Sequence, residues 1–166
     1  MTAEYLAPQR NRTRLRPAFL VVLLTLVPLL LAAPARAADP LISQGRPATA
    51  SSAESAAMGA AAAVDGNTGT RWSSAFSDPQ WIQVDLGATA TITQVTLQWE
   101  AAYARSFQIQ VSADASAWTT VYSTTTGTGG VQDLNVSGSG RYVRMYGTQR
   151  STPYGYSLYE FQVFGS

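Results

Sequence analysis

The chain has no cysteine, no histidine and no lysine. Without cysteine there is no disulfide framework, so a folded domain must be held by its core, by a bound ion, or by both. Without histidine or cysteine, Ser-His-Asp and Cys-His nucleophile systems are excluded, and zinc loses its imidazole and thiolate ligands. No glycine-rich phosphate loop stands between a strand and a helix. After residue 64 no stretch has the apolar spacing of a long helix. A glycosidase built on two carboxylates, for which Glu54 and Glu100 are the available pair, is not excluded by composition.

The N-terminal segment is different in kind. Arg10, Arg12, Arg14 and Arg16 precede the apolar run "PAFLVVLLTLVPLLLAA", and Ala35-Arg36-Ala37 forms a small-x-small cleavage site. Residues 1–37 therefore read as a secretory signal peptide, with the mature chain starting near Ala38. A membrane anchor is the rival reading, but Pro28 interrupts the run and a cleavage site follows it. A lipoprotein would need a cysteine at the cut. Residues 38–166 hold six arginines against nine acidic residues, a net charge of −3 rather than the +1 of the whole chain. A mildly acidic domain without lysine is a poor partner for nucleic acid or for anionic lipid. Its length suits one domain, expected to be a monomer, with no membrane insertion after signal cleavage.

Residues 38–60 are rich in Ala, Ser and Pro, and "AAMGAAAAV" suits a short helical turn. From Trp81 onward the apolar period is two. "WIQVDLG" places Ile82, Val84 and Leu86 opposite Trp81, Gln83 and Asp85; "ITQVTLQW" separates Val95, Leu97 and Trp99 from Gln94, Thr96 and Gln98. "SFQIQVS", "AWTTVYS", "VQDLNVS", "RYVRMYG" and "SLYEFQVFG" continue the style, with "DASA", "TTTGTGG", "SGSG" and "TQRSTPYG" as turns. At least seven short strands separated by polar turns predict an all-β, antiparallel sandwich. Phe107, Ile109 and Val111 read as core, with Trp118 opening the next strand as part of the same core-and-hairpin unit.

"AVDGNTGTRWSS" packs Asp65, Gly66, Asn67, Gly69 and Thr70 into one loop before Arg71 and Trp72. One reading is a tight turn in which Asp65 bonds to backbone amides. The other is a calcium cradle, since calcium takes six to eight oxygens, many of them carbonyls. The loop is too short for an EF-hand and lacks that motif's glutamate.

"VDGNTGTRW", "WIQVDLG" and the closing "YEFQVFG" come in an order and spacing that resemble a discoidin domain, the coagulation-factor C-type fold. Within it the chain is most similar to carbohydrate-binding module family 32. The resemblance covers about residues 41–165. It implies a jelly-roll β-sandwich, galactose-binding-domain-like, of about eight strands, with a structural calcium ion. The implied ligands are the Ala62 carbonyl, Asp65, the Asn67 carbonyl, Thr70 and Glu160. Glu160 stands out in "LYEFQVF", where a buried, unpaired carboxylate would be costly; an outward-facing strand residue is the other reading.

Sugar modules of this fold bind at loop tips, where stacking needs exposed rings and hydroxyls need planar polar groups. The loop-placed candidates are Glu54, Arg71, Phe76, Glu100, Tyr103, Tyr154 and Tyr156, with Trp99 and Arg105 nearby in "WEAAYARS". The tyrosines could equally pack their loop onto the sandwich, and Arg71 could pair with a neighbouring acid. The galactose-binding branch generally uses a histidine, which is absent. "WEAAY" and "YGYSLYE" are similar to modules attached to chitosanases and β-glucanases, so the expected ligand is a β-glucan or chitosan. Glu54 and Glu100 would pair with a glucosamine ammonium group. The expectation is a secreted, non-catalytic carbohydrate-binding module. The alternatives are an adhesion or protein-recognition domain, a phospholipid binder of the clotting type, and a small glycan-cleaving enzyme.

Overall fold

A computed structural model describes residues 39–166. The signal peptide expected over residues 1–37 lies outside the described residues. Among the described residues no helix is long and apolar enough to cross a membrane.

The alternating segments form strands, and several of them fuse. The order is β1 (Ala48–Ala50), two short 3-10 turns (Ala56–Met58 and Ala60–Ala63), β2 (Trp72–Ser73), β3 (Gln80–Trp99), β4 (Ala104–Ser112), β5 (Thr119–Thr124), β6 (Val131–Arg150) and β7 (Ser157–Gly165). "WIQVDLG" and "ITQVTLQW" are two parts of β3, and "VQDLNVS" and "RYVRMYG" are two parts of β6. All pairings are antiparallel.

The two long strands serve both layers of a jelly-roll sandwich. In the front layer the first part of β3 lies between β1 and the second part of β6, which in turn pairs with β4, and β4 with β5. In the back layer the second part of β3 lies between β7 and the first part of β6, and β7 pairs with β2. The β3–β6 register shifts between Asp85 and Ala90, where the chain passes from one layer to the other. Seven continuous strands thus carry the alternating segments, where the periodicity predicts at least seven and the family resemblance implies about eight.

Alternation decides what fills the space between the layers. Ile82, Met145 and Ile109 are abreast in the front layer, followed by Val84, Val143 and Val111. Leu134, Val95 and Val163 face them from the back layer, with Leu97 beside Phe161. All of these side chains are buried. Burying each large one contributes about 1.5–3 kcal/mol, and this core works without any disulfide. Gly140 sits where β6 passes between layers. A Cβ there would lie 2.8 Å from the Ser112 carbonyl oxygen, so only glycine allows β4 to come this close.

The start and end of the domain meet. Ile42 donates to the Val163 carbonyl at 2.9 Å, and Gly165 to the Pro40 carbonyl at 3.1 Å. β7 begins at Ser157, whose carbonyl accepts from the Glu100 amide at 3.0 Å, and ends beside Thr91. The terminal segments and the Glu100 loop therefore lie at opposite ends of the back layer.

Trp118 departs from the expected core position. It is partly exposed on the outer face of the front layer, with the Arg144 guanidinium over its ring.

Where β3 leaves the front layer, Arg141 clamps Asp85 with two hydrogen bonds of 2.7 Å. This pair pulls the Asp85 carboxyl down to about 2. A depressed carboxylate contributes stability above its unfolded pKa of 3.8 and loses it as the pH falls toward 2. The contribution is modest, because both side chains are partly exposed. Asp85→Asn is expected to flatten the acid limb of the stability curve over that interval and leave the slope near neutrality unchanged, as read by denaturant melts across pH.

Candidate glycan and metal sites

Residues from four separate segments converge at the end of the sandwich formed by the Glu100 loop. Glu54 is anchored to β2: its amide donates to the Ser73 carbonyl at 2.7 Å, and its Oε2 accepts from Ser73 Oγ at 2.7 Å. Arg71 directly precedes buried Trp72, whose Nε1 donates to the Ser52 carbonyl at 2.9 Å. Glu100 follows β3, and its Oε2 accepts from the Ala102 amide at 3.0 Å. Tyr154 comes from the β6–β7 loop. These four residues line one cleft of about 340 Å³, completed by Ser73, Ala101, Ala102, Thr152 and Ser157. Each carboxylate spends one oxygen on the chain and keeps Oε1 free of protein donors among the described residues.

The cleft wall holds further unused hydrogen-bonding capacity. Arg71 Nε and Ser157 Oγ are buried without a hydrogen-bond partner among the described residues. A buried polar group left unpaired costs about 1–3 kcal/mol, which marks this wall as poorly satisfied by the protein alone.

Phe76 extends the rim. Its ring meets that of Tyr154 edge to face, with centroids 5.7 Å apart, and the two rings are 50% and 62% exposed. An ion pair ties the two loops that carry them. Arg150 Nε donates to Asp78 Oδ2 at 3.2 Å, and Nη1 donates to the carbonyls of Pro153 and Tyr154 at 3.0 and 3.3 Å. Sequence reading missed Asp78 and Arg150, which lie 72 positions apart, and nothing local pairs them. It also missed Ser73, Thr152 and Ser157, although Thr152 falls within the quoted "TQRSTPYG" and Ser157 within "YGYSLYE".

Two expected ring donors are corrected. Tyr156 is fully buried, and its hydroxyl donates to the Asp78 carboxylate. Its ring lies over Gly147, where a Cβ would come within 2.7 Å of it. Burial, reinforced by Asp78, pushes its phenol far above the usual range. Tyr103 does not line the cleft: its ring packs on Gly129, and its carbonyl accepts from the amide and hydroxyl of Ser151. It braces the β6–β7 loop. Of the neighbours, Trp99 is buried with Nε1 bonded to Gln132, and Arg105 is exposed on β4.

The second site is the loop after the 3-10 turns. Asp65 Oδ1 accepts from the Asn67 amide and Oδ2 from the Thr70 hydroxyl, both at 2.8 Å; Thr70 Oγ1 also lies 2.8 Å from the Asn67 carbonyl. The tight-turn reading is thus fulfilled. Glu160 is not explained by it. The residue is 3% exposed, and its Oε1 has no hydrogen-bond partner among the described residues. Burial first, then the Asp65 charge, raises its pKa against the pull of the Gly66 and Asn67 amides. A buried carboxylate such as Glu160, under the influence of the exposed Asp65 charge, needs a proton or a cation. With two carboxylates and otherwise carbonyl and hydroxyl oxygens, the donor set fits calcium and not zinc.

The family model for the F5/8 type C domain matches residues 47–161. The chain belongs to this family. Similar solved structures include two chitosan-binding modules from a chitosanase/glucanase of Paenibacillus sp. IK-5. Module 1 is 52% identical, covers 76% of this chain and 99% of its own, and has a TM-score of 0.74. Module 2, in complex with chitotriose, is 47% identical, covers 75% and 99%, and has a TM-score of 0.72. The family 32 module of NanJ from C. perfringens, in complex with galactose, shares the fold at 21% identity, covering 76% and 98%, with a TM-score of 0.67. Among curated proteins, the polysaccharide lyase 8 family protein HylA of Enterococcus faecalis is 38% identical over 68 residues. That match spans 41% of this F5/8 type C chain and only 5% of HylA.

Because Tyr156 is core, Tyr156→Ala is expected to destabilise the domain by about 3–5 kcal/mol. Tyr156→Phe, which keeps the ring and loses the bond to Asp78, should cost about 1.5–3 kcal/mol. Urea denaturation of both variants checks the ordering.

Proposed function

We propose that this F5/8 type C domain is a secreted, non-catalytic carbohydrate-binding module whose end cleft takes a chitosan-type, β-linked glucosamine chain. One observation carries the reading: Glu54 and Glu100 line a single cleft beside the exposed Phe76–Tyr154 ring pair. A carboxylate and an ammonium group form a charge-assisted hydrogen bond, roughly twice as strong as a neutral one. An exposed ring supplies the flat face on which a pyranose stacks. The cleft therefore offers both contacts an aminosugar can use. Arg71, between two acids in the same cleft, donates to sugar hydroxyls. The likeness to the two Paenibacillus chitosan-binding modules supports the same ligand class over a neutral β-glucan. Such a single shallow site gives an affinity of about −4 to −6 kcal/mol, on the order of millimolar to tens of micromolar.

The non-catalytic assignment rests on the binding-module character of the similar structures. Export rests on the signal-like residues 1–37. Calcium completes the reading. Ala62, Asp65, Asn67, Thr70 and Glu160 would hold the ion, which supplies positive charge between the loop and β7 and so stabilises the sandwich.

Glu100→Gln and Tyr154→Ala should each weaken retention on insoluble chitosan by about tenfold, equivalent to 1.4 kcal/mol, with melting temperatures near wild type. Equal retention of wild type and both variants would remove the cleft from the account. The bound polymer should release no new reducing ends.

Chelation with EDTA should lower the melting temperature of the wild type, and excess calcium should restore it. At a calcium concentration of 100 times the dissociation constant, the stabilisation is about 2.7 kcal/mol. Glu160→Gln should abolish the response to both reagents. A wild-type melting curve indifferent to EDTA would rule the ion out.

A further inference from the structure

The outer face of the front layer carries chemistry that the end cleft does not use. Register places Trp81, Tyr146 and Gln108 abreast, and Gln83, Arg144 and Gln110 in the next row. The solvated face of an antiparallel sheet is ordinarily polar. Here Trp81, Tyr142, Tyr146 and Trp118 occupy it, all partly exposed. Three of those rings surround one cation: the Arg144 guanidinium carbon lies 3.9 Å from the Trp118 ring centroid, 5.1 Å from Tyr146 and 6.0 Å from Trp81.

That guanidinium is fixed but not neutralised. Its Nε and Nη2 both donate to Gln110 Oε1, at 2.8 and 2.6 Å. Nη1 has no hydrogen-bond partner among the described residues. Arg141 and Arg150 pair with Asp85 and Asp78, whereas Arg144 makes no ion pair among the described residues. Beside the ring row lies a depression of about 490 Å³, lined by the hydroxyls of Ser106, Ser123, Thr124, Thr126 and Thr148 and by Gln108. Gln108 belongs to both features, and its Nε2 makes no hydrogen bond among the described residues.

We propose that this outer face is a second glycan-binding surface and that it takes an acidic sugar, a uronate residue of a polysaccharide. The pyranose stacks on the Trp81–Tyr146 edge, its carboxylate accepts from Arg144, and its hydroxyls bond to Gln108 and the depression. A planar guanidinium already held in place matches a carboxylate with little entropic loss. A neutral sugar would use the rings and leave the cation unpaired, and an aminosugar would be repelled. The surface stands on its own residues, and the reading of the end cleft does not enter it.

The test is a titration of the domain with trigalacturonate, followed by the backbone amide and indole N–H signals in two-dimensional NMR. Cellotriose serves as the neutral control. Trp72 and Trp99 are buried, so Trp81 and Trp118 act as local reporters. The proposal expects trigalacturonate to move the Trp81 and Trp118 signals, cellotriose to do so about tenfold more weakly, and added salt to reduce the shift. Trp81→Ala should weaken the response, Arg144→Lys should lose most of the preference for the acid, and Glu100→Gln should change neither. Unmoved Trp81 and Trp118 signals at millimolar trigalacturonate would overturn the site. Equal responses to both trisaccharides would overturn the acidic class, and shifts confined to Thr152 and Tyr154 would assign the binding to the end cleft instead. These readings on the wild type stand even where a variant fails to fold.

Discussion

The hydrogen-bonded pairing of β3 with β6 runs from Gln80 opposite Gly147 to Gln98 opposite Val131, with register shifts at the passage between layers and again between Ile92 and Gln94. Because both strands belong to both layers, Ile82 and Met145 of the front row are covalently continuous with Val95 and Leu134 of the back row. A disulfide across a sandwich ties two layers at one point. Here two strands tie them along their length, and the close approach at Gly140 lets the second of these crossings pass β4. The absence of cysteine costs this architecture little.

The ends of the strands are free to vary because the middle is not. Glu54, Arg71, Glu100 and Tyr154 each sit one or a few residues beyond a paired segment, so the sandwich fixes their backbones while their side chains face the cleft. The Arg150–Asp78 pair extends that rigidity into the loops that carry Phe76 and Tyr154. Only partly exposed, it loses less to screening than a fully solvated pair would. The loop at Asp65 and the outer face at Arg144 are two further places where charge is held by the fold without being balanced locally.

Much of the fold was legible because a period of two has one physical cause, burial of one face, and that face pairs row by row as the alternation requires. The fusion of neighbouring segments into β3 and β6 was not legible, since glycine- and serine-rich stretches such as "SGSG" read as turns whether the chain reverses or only bends. Tyr154 and Tyr156 show the limit at the site. Extending the alternation of β7 backward from buried Leu158 puts Tyr156 inside, yet its neighbours in "TPYGYS" read as a loop. Glu160 looked misplaced because it shares the outward face of Gln98 and Gln162, where the Gly66–Asn67 loop covers it; the β3–β7 register shift between Gln98 and Trp99 is what lets Leu158 and Phe161, three positions apart, both turn inward. Trp118 reads like any core aromatic; its face is set by Arg144, a residue from another strand, and no local pattern reports that.

The meeting of Pro40 with Gly165 has a mechanical meaning. β7 spans nine residues between that junction and Ser157 at the cleft, a separation of roughly 30 Å at the usual rise of an extended chain. Anything grafted to either end of the domain, whether a catalytic unit, a second module or a solid support, therefore emerges on the side away from Glu100 and Tyr154. The domain can be hung by its tail, singly or in tandem, and still present an unobstructed mouth.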